Sequence, residues 1–362
     1  MLLVACGSMA CAPGIRADDT VHVDVELGVN YVVHVYTLAR AGFRDEDYEA
    51  RFGRTIPASD LEFLRRNAGL LSFLRQDSGP FAGPCYFAPA GMNLASRERF
   101  ARYFSAWNRA LKRKSFAPLE ELHEPGLEKF RELFDLPDEA WRKQVLPLNP
   151  VFARIGRVFV GSFETYAREV WPTVEPVLEE RARSLDAKLE PLGLVPAWET
   201  VTGYDFSDGG YHVSLYYAGR QGPSFNDTGL HKNTAYYGTD EAWFLDMISH
   251  EVGIHVMMPR LQPLLDRVRR EIPRLTAPHV YGNVGYMAFE SLAAYYNRKV
   301  LGRAGLDVHC PNDPSAFLEI FGKLDGPGAS PGDLFQKGVA EYVANWTDPA
   351  AIGARAEACA RR

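Results

Sequence analysis

One short segment constrains this chain more than any other: Ser249-His250-Glu251-Val252-Gly253-Ile254-His255-Val256. It packs two imidazoles and a carboxylate behind an apolar lead-in of Trp243, Phe244, Met247 and Ile248. The spacing predicts a helix capped by Thr239 or Asp240 and stopped by Pro259. Polar groups carried into the core by such a helix must bond to one another or to a ligand. Neutral imidazole is the usual zinc donor, and a carboxylate beside it can act on a metal-activated water.

The spacing of the two histidines is the difficulty. In H-E-x-x-H the two rings stand at i and i+4 and share one helical face. Here the pattern is H-E-x-x-x-H, and five residues of regular helix turn about 500°, leaving His255 about 140° away from His250. Two local structures would bring them back together. A one-turn π-bulge absorbs the extra residue, and Gly253 lies inside the interval where a missing side chain tolerates it. Alternatively the helix ends near Gly253 and His255 turns in from a loop.

A catalytic zinc site needs a third protein donor and one open position. Glu290 is the best candidate, as the only acid in the apolar helical stretch from Tyr286 to Tyr296. A carboxylate in such a helix calls for a partner. His279, His231 and His212 are the competing donors. Buried structural histidines paired with Glu290 would account for the same residues without an ion.

A helix bearing His-Glu followed by a helix bearing a glutamate donor resembles the gluzincin metallopeptidases. The shifted second histidine resembles the tyrosine-removing carboxypeptidases that act on tubulin-like tails. A closer likeness is to a bacterial family of exported metallopeptidase-like proteins known as a domain of unknown function. That likeness runs over Val23 to Leu27, the middle helices, His250 to Pro259 and the Glu290 helix, and only the His-Glu segment is specific. Two positions depart from the pattern. Ile254 stands where that family has its second histidine. Ala294 stands where thermolysin-like enzymes often carry an acid that orients a histidine.

The resemblance implies a zincin-like catalytic domain in which His250, His255 and Glu290 hold Zn2+. Glu251 would be the general base, passing a proton from the attacking water to the leaving amine. Tyr286, then Tyr281 and His279, are candidate donors to the oxyanion. The Tyr211–Tyr217 strand would be the edge on which an extended peptide substrate pairs.

Around that site the chain reads as α+β and predominantly helical. A strand is predicted over Val21–Val25 and a buried helix over Leu27–Ala41, stopped by Gly42. A helix capped by Ser59, with Glu62 closing a capping box, is expected to run to Leu74. Another opens at Ser96 and carries Phe100, Tyr103, Phe104, Trp107 and Leu111 at helical spacing. One or two helices follow over 119–145, then a linker over Leu146–Pro150. The stretch Phe163–Leu189 reads as helix interrupted around Pro172 and Pro176. A Gly/Asn/Ser loop is expected to reach Thr239, and a last helix runs from Gly285 to Leu301. The domain expectation is a leader over 1–19, a helical N-terminal region over 20–148 and the catalytic domain over 149–362.

A net charge of −6 gives no electrostatic reason for nucleic-acid binding, and no apolar run is long enough to span a bilayer. Leu3-Val4-Ala5-Cys6-Gly7 looks like a lipobox, so a truncated signal, membrane attachment through a lipidated Cys6, and export to the periplasm or cell envelope are expected. A Cys310–Cys359 disulfide would suit that compartment, and unpaired thiols would suit a cytosolic chain. Two functions stand: a zinc peptidase, or an exported lipoprotein that binds or scaffolds while keeping the fold. The intact Glu251 favours the first.

Overall fold

The computed structural model describes residues 20–74, 77–206, 210–220, 226–227, 230–272, 284–302 and 315–345. The leader with Cys6, the Cys310 and Cys359 thiols, and His279 and Tyr281 all lie outside the described residues.

The architecture is predominantly helical around a small four-stranded sheet, with a separate two-stranded pairing of Phe73–Leu74 and Asp77–Ser78. The principal elements are β1 (Val21–Val25), α1 (Leu27–Ala39), α2 (Arg97–Arg113), α3 (Asn149–Glu169), α4 (Trp171–Leu189) and α5 (Leu194–Thr202). They continue with β2 (Tyr211–Tyr216), β3 (Asn226–Asp227), β4 (Lys232–Tyr236), α6 (Glu241–Glu271), α7 (Val284–Leu301), α8 (Ser315–Leu324) and α9 (Pro331–Asn345). The sheet order is β1-β2-β4-β3. β1 and β4 both run parallel to β2, and the two-residue β3 lies antiparallel on β4. Parallel strands need coverage on both faces, and β2 and β4 are accordingly buried almost throughout.

Two expectations about this sheet are corrected. β2 is not an edge: β1 takes one side and β4 the other, so it has no free ladder on which a peptide could pair. The outer side of β1 is also blunted, because Asp186 of α4 accepts the Val23 amide at 2.8 Å. The expected loop before Thr239 holds β3 and β4. The Lys232–Tyr236 strand is short and only half apolar, so alternation did not reveal it. Its first residue is buried as an ion pair, Lys232 Nζ to Glu26 Oε2 at 2.5 Å, with Ser214 donating to the same carboxylate.

The helices follow their predicted apolar stripes more closely than their predicted ends. In α2 the Ser96 hydroxyl accepts the Arg99 amide, and Phe100, Tyr103, Phe104, Trp107 and Leu111 are all buried. α1 ends two residues early, with Arg40 rather than Gly42 in the left-handed cap position, φ 58°. Ser59 is no cap: Pro57 precedes a helix that starts at Ala58 and ends at Arg66, and Phe73–Leu74 pair with Asp77–Ser78 instead. The expected linker is a 3-10 turn over Leu146–Leu148 that runs straight into α3. Pro172 does sit at the break between α3 and α4, whereas Pro176 is carried inside α4.

The described residues of 20–148 and those of 149–345 share one core. β1 pairs with β2, α2 packs on α3, and one buried apolar cluster runs from Val23 to Tyr342.

Candidate metal centre

The helix that carries the motif is longer and more regular than its sequence suggests. Asp240 caps α6, its carboxylate accepting the Trp243 amide at 3.1 Å, as expected. Pro259 does not stop it: α6 continues through Pro259 and Pro263 to Glu271. Each proline removes one backbone rung, at a cost of about 3 kcal/mol in a free helix. Burial of Leu261, Leu265 and Val268 between neighbouring helices offsets that loss. Trp243, at the start of the apolar lead-in, is 40% exposed and contributes little to the core.

No bulge interrupts α6 around His250. Among the described residues the π-type turns fall at Gly83–Phe87 and Trp141–Val145. Gly253 has a different reason to be glycine. A Cβ built there would lie 2.2 Å from the ring of Trp198, which α5 presses against α6. The same indole donates to Ser249 Oγ at 3.3 Å. Gly253 thus permits a close helix–helix approach and leaves the helix unstrained.

With α6 unbroken, its motif residues divide between two faces. On the first, His250 Nε2 stands 3.1 Å from Glu290 Oε2 of α7, both side chains nearly buried. One turn earlier on α6, the Asp246 carboxylate and carbonyl accept from Asn297 of α7 at 3.3 and 3.2 Å. These two contacts set α6 and α7 antiparallel in a fixed register. Tyr286 lies one turn before Glu290 on the same face of α7. The residue at i+4 from His250 is Ile254, which is buried.

Burial works against charge on His250. The bond to Glu290 and the charges of Glu290, Glu251 and Asp246 outweigh it, and the pKa stands above the ordinary histidine value. Asp246 was not foreseen, although its i−4 spacing from His250 was readable. It supplies from α6 a carboxylate charge of the kind missing at Ala294.

On the second face, His255 turns away from His250. Its Nδ1 is 3.3 Å from Nδ1 of His231, at the entrance to β4. Its ring meets Tyr211 of β2 edge-on at 4.8 Å, and His231 packs on Phe206 at 4.6 Å. Burial, with a smaller push from His231, lowers the His255 pKa to about 3, so this imidazole is neutral. Glu251 is one turn before His255, on the same side of α6. Its charge reaches Tyr211, whose hydroxyl burial and Glu251 together push far above the ordinary range. His212 belongs to neither group, since its ring bonds Asp24 of β1 at 2.7 Å.

The structure therefore brings His250 and Glu290 together, and brings His255 to His231. Among the described residues no three His, Cys, Asp or Glu side chains converge closely enough to hold an ion as placed. A tetrahedral zinc with bonds of about 2.0–2.1 Å spaces its donors about 3.3 Å apart. The His250–Glu290 pair fits one edge of such a site, and the donor types suit zinc. No family model matches the chain, and neither does any curated protein or solved structure.

Proposed function

We propose that the chain is a zinc-dependent peptidase acting outside the cytoplasm, centred on the contact between α6 and α7. The observation that carries this reading is the 3.1 Å approach of His250 Nε2 to Glu290 Oε2 across two helices. An imidazole and a carboxylate, brought together from residues 40 apart in the chain, match two donors of a gluzincin-like site. Zinc bound there would supply Lewis acidity to a peptide carbonyl.

The chain's own residues take the remaining roles. Glu251, adjacent to His250 and only partly buried, accepts the proton of the attacking water and returns it to the leaving amine. Tyr286, one turn from Glu290, is the hydroxyl donor nearest in register to the developing oxyanion. Asp246 and Asn297 hold the two helices in register around the pair. The third donor that the sequence assigns to His255 would require α6 to rewind by one residue, so the reading rests on His250, Glu290 and Glu251.

One observation favours a second reading. Ile254 fills the place one turn after His250 where a ligand would stand, which suits a non-catalytic exported protein that keeps His250–Glu290 as a buried ion pair. Zinc content of the full-length protein, followed by cleavage of a peptide library by wild type and Glu251→Gln, separates the two. The peptidase reading expects one or more equivalents of zinc and a loss of at least about 100-fold in cleavage on removing the base. A protein without zinc, or equal cleavage by both forms, overturns it.

A further inference from the structure

We infer that the groove between α2 and α3 is a docking site for an acidic amphipathic helix of a partner protein. The groove shares no residue with the α6–α7 contact, so its occupant does not depend on the peptidase reading.

The groove lies along two long helices that run antiparallel. Phe152 of α3 packs on Phe104 and Trp107 of α2, while Phe159 and Phe163 pack on Phe100. It holds about 670 Å³, within the range of ligand sites. From Arg97 to Lys112 it follows α2 for about 22 Å, or about four helical turns.

Small residues keep its floor low: Ala101 and Ser105 on α2, with Ala153, Gly156 and Gly161 on α3. The two glycines differ in what explains them. Gly156 makes room inside the fold, because a Cβ there would stand 2.8 Å from the Phe104 ring. Gly161 makes room for nothing in the fold. It is exposed in the middle of α3, and a Cβ there would meet no atom within 4 Å. Glycine is a poor helix former, so α3 carries a destabilising residue whose visible effect is an open groove.

The rim is cationic. Arg97, Arg109 and Lys112 stand along α2 and Arg157 along α3, and no acid lines the groove. Arg109 is tied to Glu121 at 3.0 Å. Among the described residues Arg97, Lys112 and Arg157 form no ion pair, and all three are exposed. The chain as a whole carries −6, so this concentration of positive charge is a local departure.

Charge and backbone chemistry together select the occupant. The cations call for carboxylates or phosphates. The floor between them is apolar and offers only Ser105 and Asn108 as neutral polar side chains. Both are engaged already, Ser105 by Arg109 at 3.3 Å and Asn108 by the Phe104 carbonyl at 2.9 Å. An extended peptide would leave amides and carbonyls facing that floor without partners. A helix satisfies its own backbone, lays an apolar stripe on the small residues and sets carboxylates on both rims. A flat bilayer does not reach the floor of a trough, and none of the exposed Leu146, Val177, Leu192 and Trp243 lines it.

The test uses the full-length protein and a fluorescein-labelled peptide of about 18 residues, with alanine and leucine on one helical face and glutamate on both flanks. A scrambled peptide keeps the composition and loses the face. Vesicles of anionic phospholipid and a DNA duplex present negative charge in two other forms. Arg97→Glu with Arg157→Glu reverses the rim, and Gly161→Leu fills the floor. Fluorescence anisotropy should show binding to wild type that weakens with salt and with scrambling. Each variant should weaken it by at least about tenfold. Thermal melts should show both variants folded. Gly161→Leu should be no less stable than wild type, since leucine is the better helix former and enters open space.

A Gly161→Leu protein that binds as wild type does overturns the inference, because binding then lies outside the groove. So does equal affinity for the scrambled peptide, which requires charge alone. No binding to the patterned peptide, or vesicles or duplex bound through Arg97 and Arg157 in its place, overturns it as well.

Discussion

The two faces of α6 put the same residue type, five positions apart, into opposite electrostatic states. His250 looks toward α7 and meets carboxylates, so its charged form is favoured in spite of burial. His255 looks toward the sheet and meets an imidazole and an aromatic ring, so burial keeps it neutral. Neither state is intrinsic to the motif. Each follows from what the opposite element presents, which depends on a helix that turns about 100° per residue without a break.

The largest expected effect tests the neutral face. The His255 pKa is about 3 in the fold and near 6.5 in the unfolded chain, so below pH 6.5 the unfolded state takes up a proton that the folded state refuses. Its contribution to stability is therefore complete above pH 6.5 and is lost as pH falls toward 3, by as much as about 4 kcal/mol. His34, also lowered to about 3 by burial, acts in the same direction. Denaturant melts of metal-free wild type and His255→Gln across that window should diverge, with the variant less acid-sensitive. Parallel curves would mean that His255 is charged in the fold.

The next largest effect tests the charged face. In metal-free protein, Glu290→Gln should cost about 3 kcal/mol near pH 6, because it strands a buried imidazolium. The His250 pKa is raised, so the pair's contribution is full below the unfolded value and fades as pH rises through the folded one. The cost of Glu290→Gln should therefore shrink as pH rises above the ordinary histidine range. A cost that does not change with pH would remove the ion pair from the comparison.

The smallest effect tests what holds the two faces apart. Gly253→Ala drives a methyl group into the Trp198 indole and should cost about 2 kcal/mol, read as a lower denaturation midpoint. A glycine present to permit a bulge would give a different result: alanine, the better helix former, would be neutral or stabilising.

Much of the helical framework was legible in the sequence because apolar spacing is a local signal. The buried stripe of α2, the Ser96 and Asp240 caps, the β1 strand and the extent of α7 all come from residues within a few positions of one another. That Glu290 would find a buried partner was legible too, since an isolated acid in an apolar helix must find a counterpart. What local signals missed were non-local compensations. Pro259 and Pro263 are tolerated inside α6 because neighbouring helices bury its far half. Lys232 can open a buried strand only because Glu26 waits across the sheet. Gly253 reads as a site of distortion until Trp198 is seen against it.

The sequence alone determined that His250 and Glu251 would lie on one apolar helix and Glu290 on a second, because those facts depend on spacing and burial, and it left His255 either on the first helix or on a loop after it. Only the tertiary structure decided which residues meet. An unbroken α6 sends His250 to Glu290 and His255 to His231, because helix phase and the packing of α5, α7 and the sheet choose each partner.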